Sequence, residues 1–168
     1  GLGASGGFVV DTETHVLGAR TAPLHGMSVS WKEGSAWYIP AHLVSAFRGV
    51  LEDPRVPKWG HNAKYDVEVL QQAGIRLHPV TFDSMLASYV LAPGTRAHGL
   101  DALAFTILGI EKIPIESLIG SAGTAQRSLA DVPLADVAEY SCEDADMTLR
   151  LVRHFERALR KERLLEKV

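Results

Sequence analysis

The feature that most constrains this fold is a change in hydrophobic period near Pro40. Before it, apolar residues come in short runs: Phe8-Val9-Val10, which ends at Asp11, then His25 to Trp31 and Ser35 to Ile39. Runs of this length read as strands, and Lys32-Glu33-Gly34 between the second and third offers the glycine of a hairpin turn. The chain therefore opens as a three-stranded meander. After Pro40 the apolar positions Leu43, Phe47, Val50 and Leu51 fall at helical spacing until Asp53-Pro54 stops the pattern. Lys58-Trp59-Gly60 is a short strand running into a second helix, from about Ala63 to Ala73, with Gly74 as its C-cap. Val80-Thr81-Phe82 is a fifth strand, and Asp83-Ser84 opens a helix carrying Met85, Leu86, Tyr89 and Val90 up to Pro93-Gly94. Another helix opens at Gly99-Leu100-Asp101, Gly120 to Ser128 is a polar loop, and a long helix follows Pro133 with Val137, Tyr140, Leu151, Phe155 and Leu159 at its apolar positions. Strands followed by alternating helices mean a mixed five-stranded α/β sheet flanked by helices, in a single domain over 1–168 with no internal repeat.

A 168-residue chain that is 46% hydrophobic can bury a core without cross-links. Cys142 is the sole cysteine, so neither a disulfide framework nor a thiolate zinc site is available; a reducing, cytoplasmic compartment is expected. The first residues show no secretory signal, and no apolar stretch is long enough to span a membrane. A net charge of −3 at first argues against a polyanionic partner. Setting aside Asp11, Glu13, Asp66 and Asp144 changes it to +1, so the total depends on what those four acids do.

Asp11 and Glu13 stand at i and i+2, so on a strand they emerge on one side, here where the strand is expected to end. By itself such a pair fits turn chemistry or helix capping equally well. Asn62 and Asp66 are four apart and share a helical face; alternatively Asn62 is an N-cap, Lys64 and Glu68 form a surface pair and Asp66 is solvated. Tyr140 and Asp144 repeat the four-residue spacing, in a segment crowded by Glu139, Glu143 and Asp146. Adjacent acids on a structural helix repel one another. Either this is a solvated face answered by Arg150 and Arg153, or Asp144 points inward beside Asp11.

The conjunction of D-x-E, N-x-x-x-D and Y-x-x-x-D in this order resembles the DEDD exonuclease superfamily. More closely, Asp11-Thr12-Glu13-Thr14, Asn62 to Asp66 and Tyr140 to Leu149 look like the three exonuclease motifs of the proofreading domain of bacterial DNA polymerase I. The likeness extends to Phe82 through Tyr89 and to the helix opened by Leu100-Asp101. The superfamily divides by whether a histidine lies five residues, or a tyrosine four residues, before the last aspartate. Glu139 and Tyr140 place this chain with the tyrosine branch.

The resemblance implies a ribonuclease-H-like sheet and a 3′-5′ exonuclease acting on single-stranded or frayed DNA 3′ ends. It further implies that the chain is part of a DNA polymerase whose polymerase domain follows the charged helix Arg160 to Val168. Carboxylates without clustered histidine or cysteine favour hard ions, so two Mg²⁺ or Mn²⁺ ions are expected. By the same likeness Asp11, Glu13 and Asp144 hold the ion carrying the attacking water, and Asp11 bridges to a second that Asp66 supports through water. An unperturbed phenol, with a pKa of about 10, stays protonated near neutrality, so Tyr140 is expected to aim the water rather than deprotonate it. Thr12, Leu17, Asn62 and Lys64 are the implied substrate contacts, though Lys64 also suits a plain surface position. Ile115 stands where the family has an aromatic that stacks on a base, and His61 replaces a glutamine. Arg150, Arg153, Arg157 and Arg160 form a stripe that reads as a nucleic-acid face or as a solvated face answered by Glu156 and Glu162. Two other functions remain compatible with the motifs: trimming of structured RNA, and an inactive spacer module.

Overall fold

The computed structural model describes residues 6–16, 21–121 and 125–164. Five strands form one sheet: β1 (Phe8–Thr14), β2 (Leu24–Lys32), β3 (Ser35–Pro40), β4 (Lys58–Gly60) and β5 (Val80–Asp83), in the order β3-β2-β1-β4-β5. The meander β1-β2-β3 is antiparallel, while β4 and β5 add in parallel on the other side of β1. Gly34 turns the β2-β3 hairpin at φ +76°, a region closed to most side chains. The expected mixed sheet with a three-stranded meander is what forms.

Side-chain alternation along β1 divides the core. Phe8 and Val10 face one layer, buried with Met27, Leu51, Leu70 and Ile75 under the short helices α1 (Ala41–Val44) and α2 (Arg48–Leu51) and under α3 (Ala63–Gln72). Val9 faces the opposite layer, packed with Leu103, Leu149, Val152 and Phe155 beneath α4 (Ser84–Leu91), α5 (Leu100–Leu103) and the long helix α7 (Leu134–Lys161). Leu118, Ile119, Leu129 and Val137 make a third cluster around α6 (Glu116–Ile119). Val137, Ser141, Asp144, Thr148, Val152, Phe155 and Leu159 recur every three or four residues and form the buried stripe of α7.

Three expectations need correction. The helix after Pro40 is broken into α1 and α2 by a 3₁₀ turn at Ser45–Phe47. β1 does not stop at Asp11: pairing with β2 continues to Thr14 opposite Leu24, so Asp11 and Glu13 lie inside the strand. Asn62 does not share a helical face with Asp66, because it sits at the N-cap of α3 in left-handed conformation, φ 58°, and its side chain makes no capping bond. A single carboxylate does the capping there. Asp83 accepts from the backbone N–H groups of Asn62 at 3.1 Å and Ala63 at 2.8 Å, and also from Met85 and Leu86 in the first turn of its own helix. Two helix N-termini are thereby tied to one side chain at the end of β5.

Candidate active site

The strand alternation that divides the core also fixes the acids. Asp11 and Glu13 continue the Val9 face of β1, so they point toward α7, and Asp144 lies in the buried stripe of that helix. Oxygen atoms of Asp11, Glu13 and Asp144 all lie within 4.8 Å of one another. A pair of serines sets how α7 lies on the sheet: Ser28 Oγ donates to the Ser141 carbonyl at 2.7 Å, and Ser141 Oγ donates to Ser28 Oγ at 2.9 Å. Ser28 is the register partner of Asp11, and Ser141 precedes Asp144 by one turn, so the clamp acts directly on the cluster.

Asp66 approaches from the other face. Thr12 alternates away from Asp11 and Glu13 toward α3, where its N–H (2.9 Å) and hydroxyl (2.6 Å) both donate to Asp66 Oδ1. Asp66 is only 3% exposed. Thr12 thus holds an acid from α3 against the strand that carries two more. Tyr65, the residue before Asp66, shares a 2.8 Å hydrogen bond with Thr14 and ties the same helix to the strand end.

Four carboxyl groups in so small a space cannot all ionise without a cation. Burial, then Glu13, Asp66 and Asp144, push Asp11 well above the ordinary carboxyl range. Glu13 is raised to about 8 by burial and then by Asp144 and Asp66; Asp66 is raised to about 7 by burial, against which the Thr12 bonds act. Asp144 reaches about 6, burial again leading, with Lys112 and a hydrogen bond from Tyr140 pulling it down. Asp11 Oδ2 is buried without a hydrogen-bond partner. An unpartnered carboxylate oxygen among acids held apart by backbone suits hard cations with oxygen ligands, so these residues fit a divalent-metal site.

Tyr140 stands one turn before Asp144, and burial followed by the nearby carboxylates raises its phenol further above its ordinary value. The group remains a hydrogen-bond donor throughout the neutral range. Asn62 is exposed at the mouth of α3. Lys64 has a 76% exposed side chain 4.0 Å from Glu68, the surface placement allowed for it. Leu17 lies outside the described residues. Ile115 packs against the third core cluster. In the arginine stripe, Arg150 pairs with Asp146, Arg153 with Glu33 and Arg160 with Glu156, so three of the four are answered by acids; Asp146 belongs to the crowded segment that Arg150 is expected to answer, whereas Glu33 comes from the β2-β3 turn.

Lys112 was missed altogether. Its side chain is 1% exposed, and its ammonium pairs with Asp144, lies 3.3 Å from Asp101 and stands 5.1 Å from the centre of the Tyr140 ring. No periodic pattern marks it, because residues 109–115, between the π-helical turn Ala104–Leu108 and α6, are irregular and Glu111-Lys112 reads as surface charge.

The sheet order, flanking helices and placement of the acids define a ribonuclease-H-like nuclease fold. Solved structures agree: *Brucella melitensis* NrnC with bound Mg²⁺ superposes with a TM-score of 0.75 at 23% identity, covering 99% of this chain and 79% of that one. *Trypanosoma brucei* RNase D follows at a TM-score of 0.70 and 18% identity, covering 98% and 66%. A family model described as 3′-5′ exonuclease matches residues 2–160, and the chain belongs to that family, the 3′-5′ exonuclease domain of DNA polymerase I. DNA polymerase I of *Pseudomonas aeruginosa* is 38% identical over 157 residues, covering 84% of this chain and 17% of the relative. That of *Chloroflexus aurantiacus* is 36% identical over 168 residues, covering 92% and 17%. The chain therefore spans about a sixth of the length of these relatives.

Proposed function

We propose that this chain removes nucleotides from DNA 3′ ends by metal-dependent hydrolysis and serves as the proofreading part of a DNA polymerase. The observation that carries this reading is the convergence of Asp11, Glu13 and Asp144 within 4.8 Å, beside a buried Asp66. Two divalent ions held there, Mg²⁺ or Mn²⁺, would supply an acidified water and neutralise charge on the scissile phosphate.

The chain's own residues then have separate tasks. Asp11, Glu13 and Asp144 would hold the metal from the α7 side of β1, and Asp66, aimed by its two bonds from Thr12, would support it from the α3 side. Tyr140, protonated, orients the attacking water and accepts no proton from it. Thr12, Leu17, Asn62 and Lys64 remain the proposed contacts to the terminal nucleotides, Lys64 from the rim. The relatives' DNA polymerase I chains favour DNA as substrate and a polymerase domain in the same chain as partner.

The test is a time course on 3′- and 5′-labelled single-stranded DNA and matched RNA, with Mg²⁺, Mn²⁺ or EDTA. Shortening of DNA from the 3′ end is expected, abolished by EDTA and slowed about a thousandfold or more in Asp144→Ala, since a metal ion supplies several kcal/mol. Faster cleavage of RNA would make RNA trimming the activity. No cleavage with either ion would leave a spacer module.

A further inference from the structure

Lys112 reaches the acid cluster along an anchored path. Glu143 Oε2 accepts the N–H of Ile113 at 2.7 Å, which fixes the irregular segment against α7 one residue before Asp144. That bond already secures the segment, so the lysine is not needed as its anchor. A purely structural ammonium would also be satisfied by Asp101 at 3.3 Å and Glu143 at 4.0 Å. It contacts Asp144 at the same time, and Asp144 is one of the three acids placed to share an ion. Its surroundings offer two seats. One is Asp144, inside the cluster; the other is Asp101 with Glu143, at the edge, where the Asp101 side chain is 69% exposed. A lysine's flexible stem and compact charge suit movement between neighbouring acids better than the fixed fork of an arginine.

We infer that Lys112 is a resident counter-cation of the acid cluster: its ammonium holds Asp144 until a divalent ion takes that carboxylate, and it then withdraws toward Asp101 and Glu143. Lys112 is thus a positioning residue that sets metal affinity. The inference rests on the reading of the cluster as a metal centre. Its consequence is a competition: every ion entering beside Asp144 must displace a positive charge already there. The displaced ammonium then stands a few ångströms from the bound ion, a like charge that lowers its affinity.

Calorimetric titration of Mn²⁺ into the chain, Lys112→Met, Asp101→Asn and the double variant tests this at about pH 8, where the acids release their protons most readily. Lys112→Met is expected to bind Mn²⁺ at least about tenfold more tightly, and Asp101→Asn about three- to tenfold more weakly because the outer seat is weakened. Asp101 is largely exposed, so its substitution leaves packing intact. In the Lys112→Met background the effect of Asp101→Asn should fall to about twofold or less, since no ammonium remains to be seated. Unchanged or weaker Mn²⁺ binding in Lys112→Met overturns the inference while leaving the metal centre standing. If Lys112→Met does not fold, an equal or tighter Mn²⁺ affinity in Asp101→Asn overturns it alone. Absence of Mn²⁺ binding in the unaltered chain rejects the metal centre and this inference together.

Discussion

Without metal, the protein should become more stable when Glu13 is replaced by glutamine, and only at high pH. Burial, then Asp144 and Asp66, raise the Glu13 carboxyl from 4.5 to about 8. Because its folded value exceeds its unfolded one, the folded state retains a proton that the unfolded chain gives up. The stability this contributes is complete below the unfolded value and is lost as pH rises through about 8. At 1.36 kcal/mol per pKa unit the gap has a ceiling of about 5 kcal/mol. Asp11, Asp66 and Asp144 share the same burden, and one proton relieves several of them, so a single neutral substitution should recover less than half, about 2 kcal/mol. For a domain of this size that corresponds to a rise of about 4–8 °C in Tm. His25, His61 and His154 are lowered by burial and act with opposite sign below their ordinary value. They are common to both proteins and cancel in the difference. The assay is thermal unfolding by circular dichroism of the chain and Glu13→Gln in EDTA, at about pH 5 and about pH 8.5. An equal Tm gain at both values would assign the effect to packing, and a loss at the higher pH would refute the argument.

Tyr140→Phe should slow 3′-end hydrolysis about ten- to a hundredfold, less than Asp144→Ala, because a water-orienting bond is lost while the metal ligands stay; single-turnover rates of the two variants decide the order. Gly26→Ala should cost about 1–3 kcal/mol, read as a lower urea midpoint, since its new carbon would run into the Tyr38 ring and stand 2.8 Å from the Ile39 carbonyl. Gly26 pairs with Glu13, so this variant should also weaken Mn²⁺ binding by calorimetry, whereas retention of the full affinity would show that the strand absorbs the strain elsewhere.

The chain carries its strand and helix pattern openly. β1 opens on the apolar run Phe8-Val9-Val10, β2 and β3 flank the Lys32-Glu33-Gly34 turn, and Gly34 and Gly74, both at positive φ, stand where the sequence marks the ends. Spacing alone left Asp144 between a solvated face and an inward place beside Asp11; the structure puts it in the same three- and four-residue rhythm as Val137, Ser141, Thr148 and Val152, facing inward. The limits of β1 were not legible: apolar character ends at Val10, but the ladder with β2 continues through Thr14, and ladder bonds depend on the partner strand. Asn62 misled for a related reason, since helical spacing from Asp66 assumes the helix has begun, and its start is set by the distant Asp83. The serine clamp and Lys112 depend on contacts between residues far apart in sequence, such as Ser28 with Ser141, and no local pattern announces them.

These long-range contacts explain how the chain can keep an arrangement that its own electrostatics oppose. Left to relax, Asp11, Glu13, Asp66 and Asp144 would spread toward water and regain ordinary carboxyl behaviour. Three restraints prevent it: ladder pairing for Asp11 and Glu13, the Thr12 bonds for Asp66, and the Ser28–Ser141 clamp for the helix bearing Asp144. The ladder and the serine clamp act on backbone and uncharged groups, so they persist whether the acids are protonated, paired with Lys112 or bound to metal; the Thr12 bonds end on Asp66 Oδ1 itself and favour its ionised form. Such a cluster is costly when empty and favourable when filled, since the free energy spent on crowding is recovered by whatever cation enters. The difference between metal-loaded and metal-free stability should therefore shrink whenever one of the acids is neutralised. In Glu13→Gln both ends of that difference move together: the empty state rises and the filled state falls.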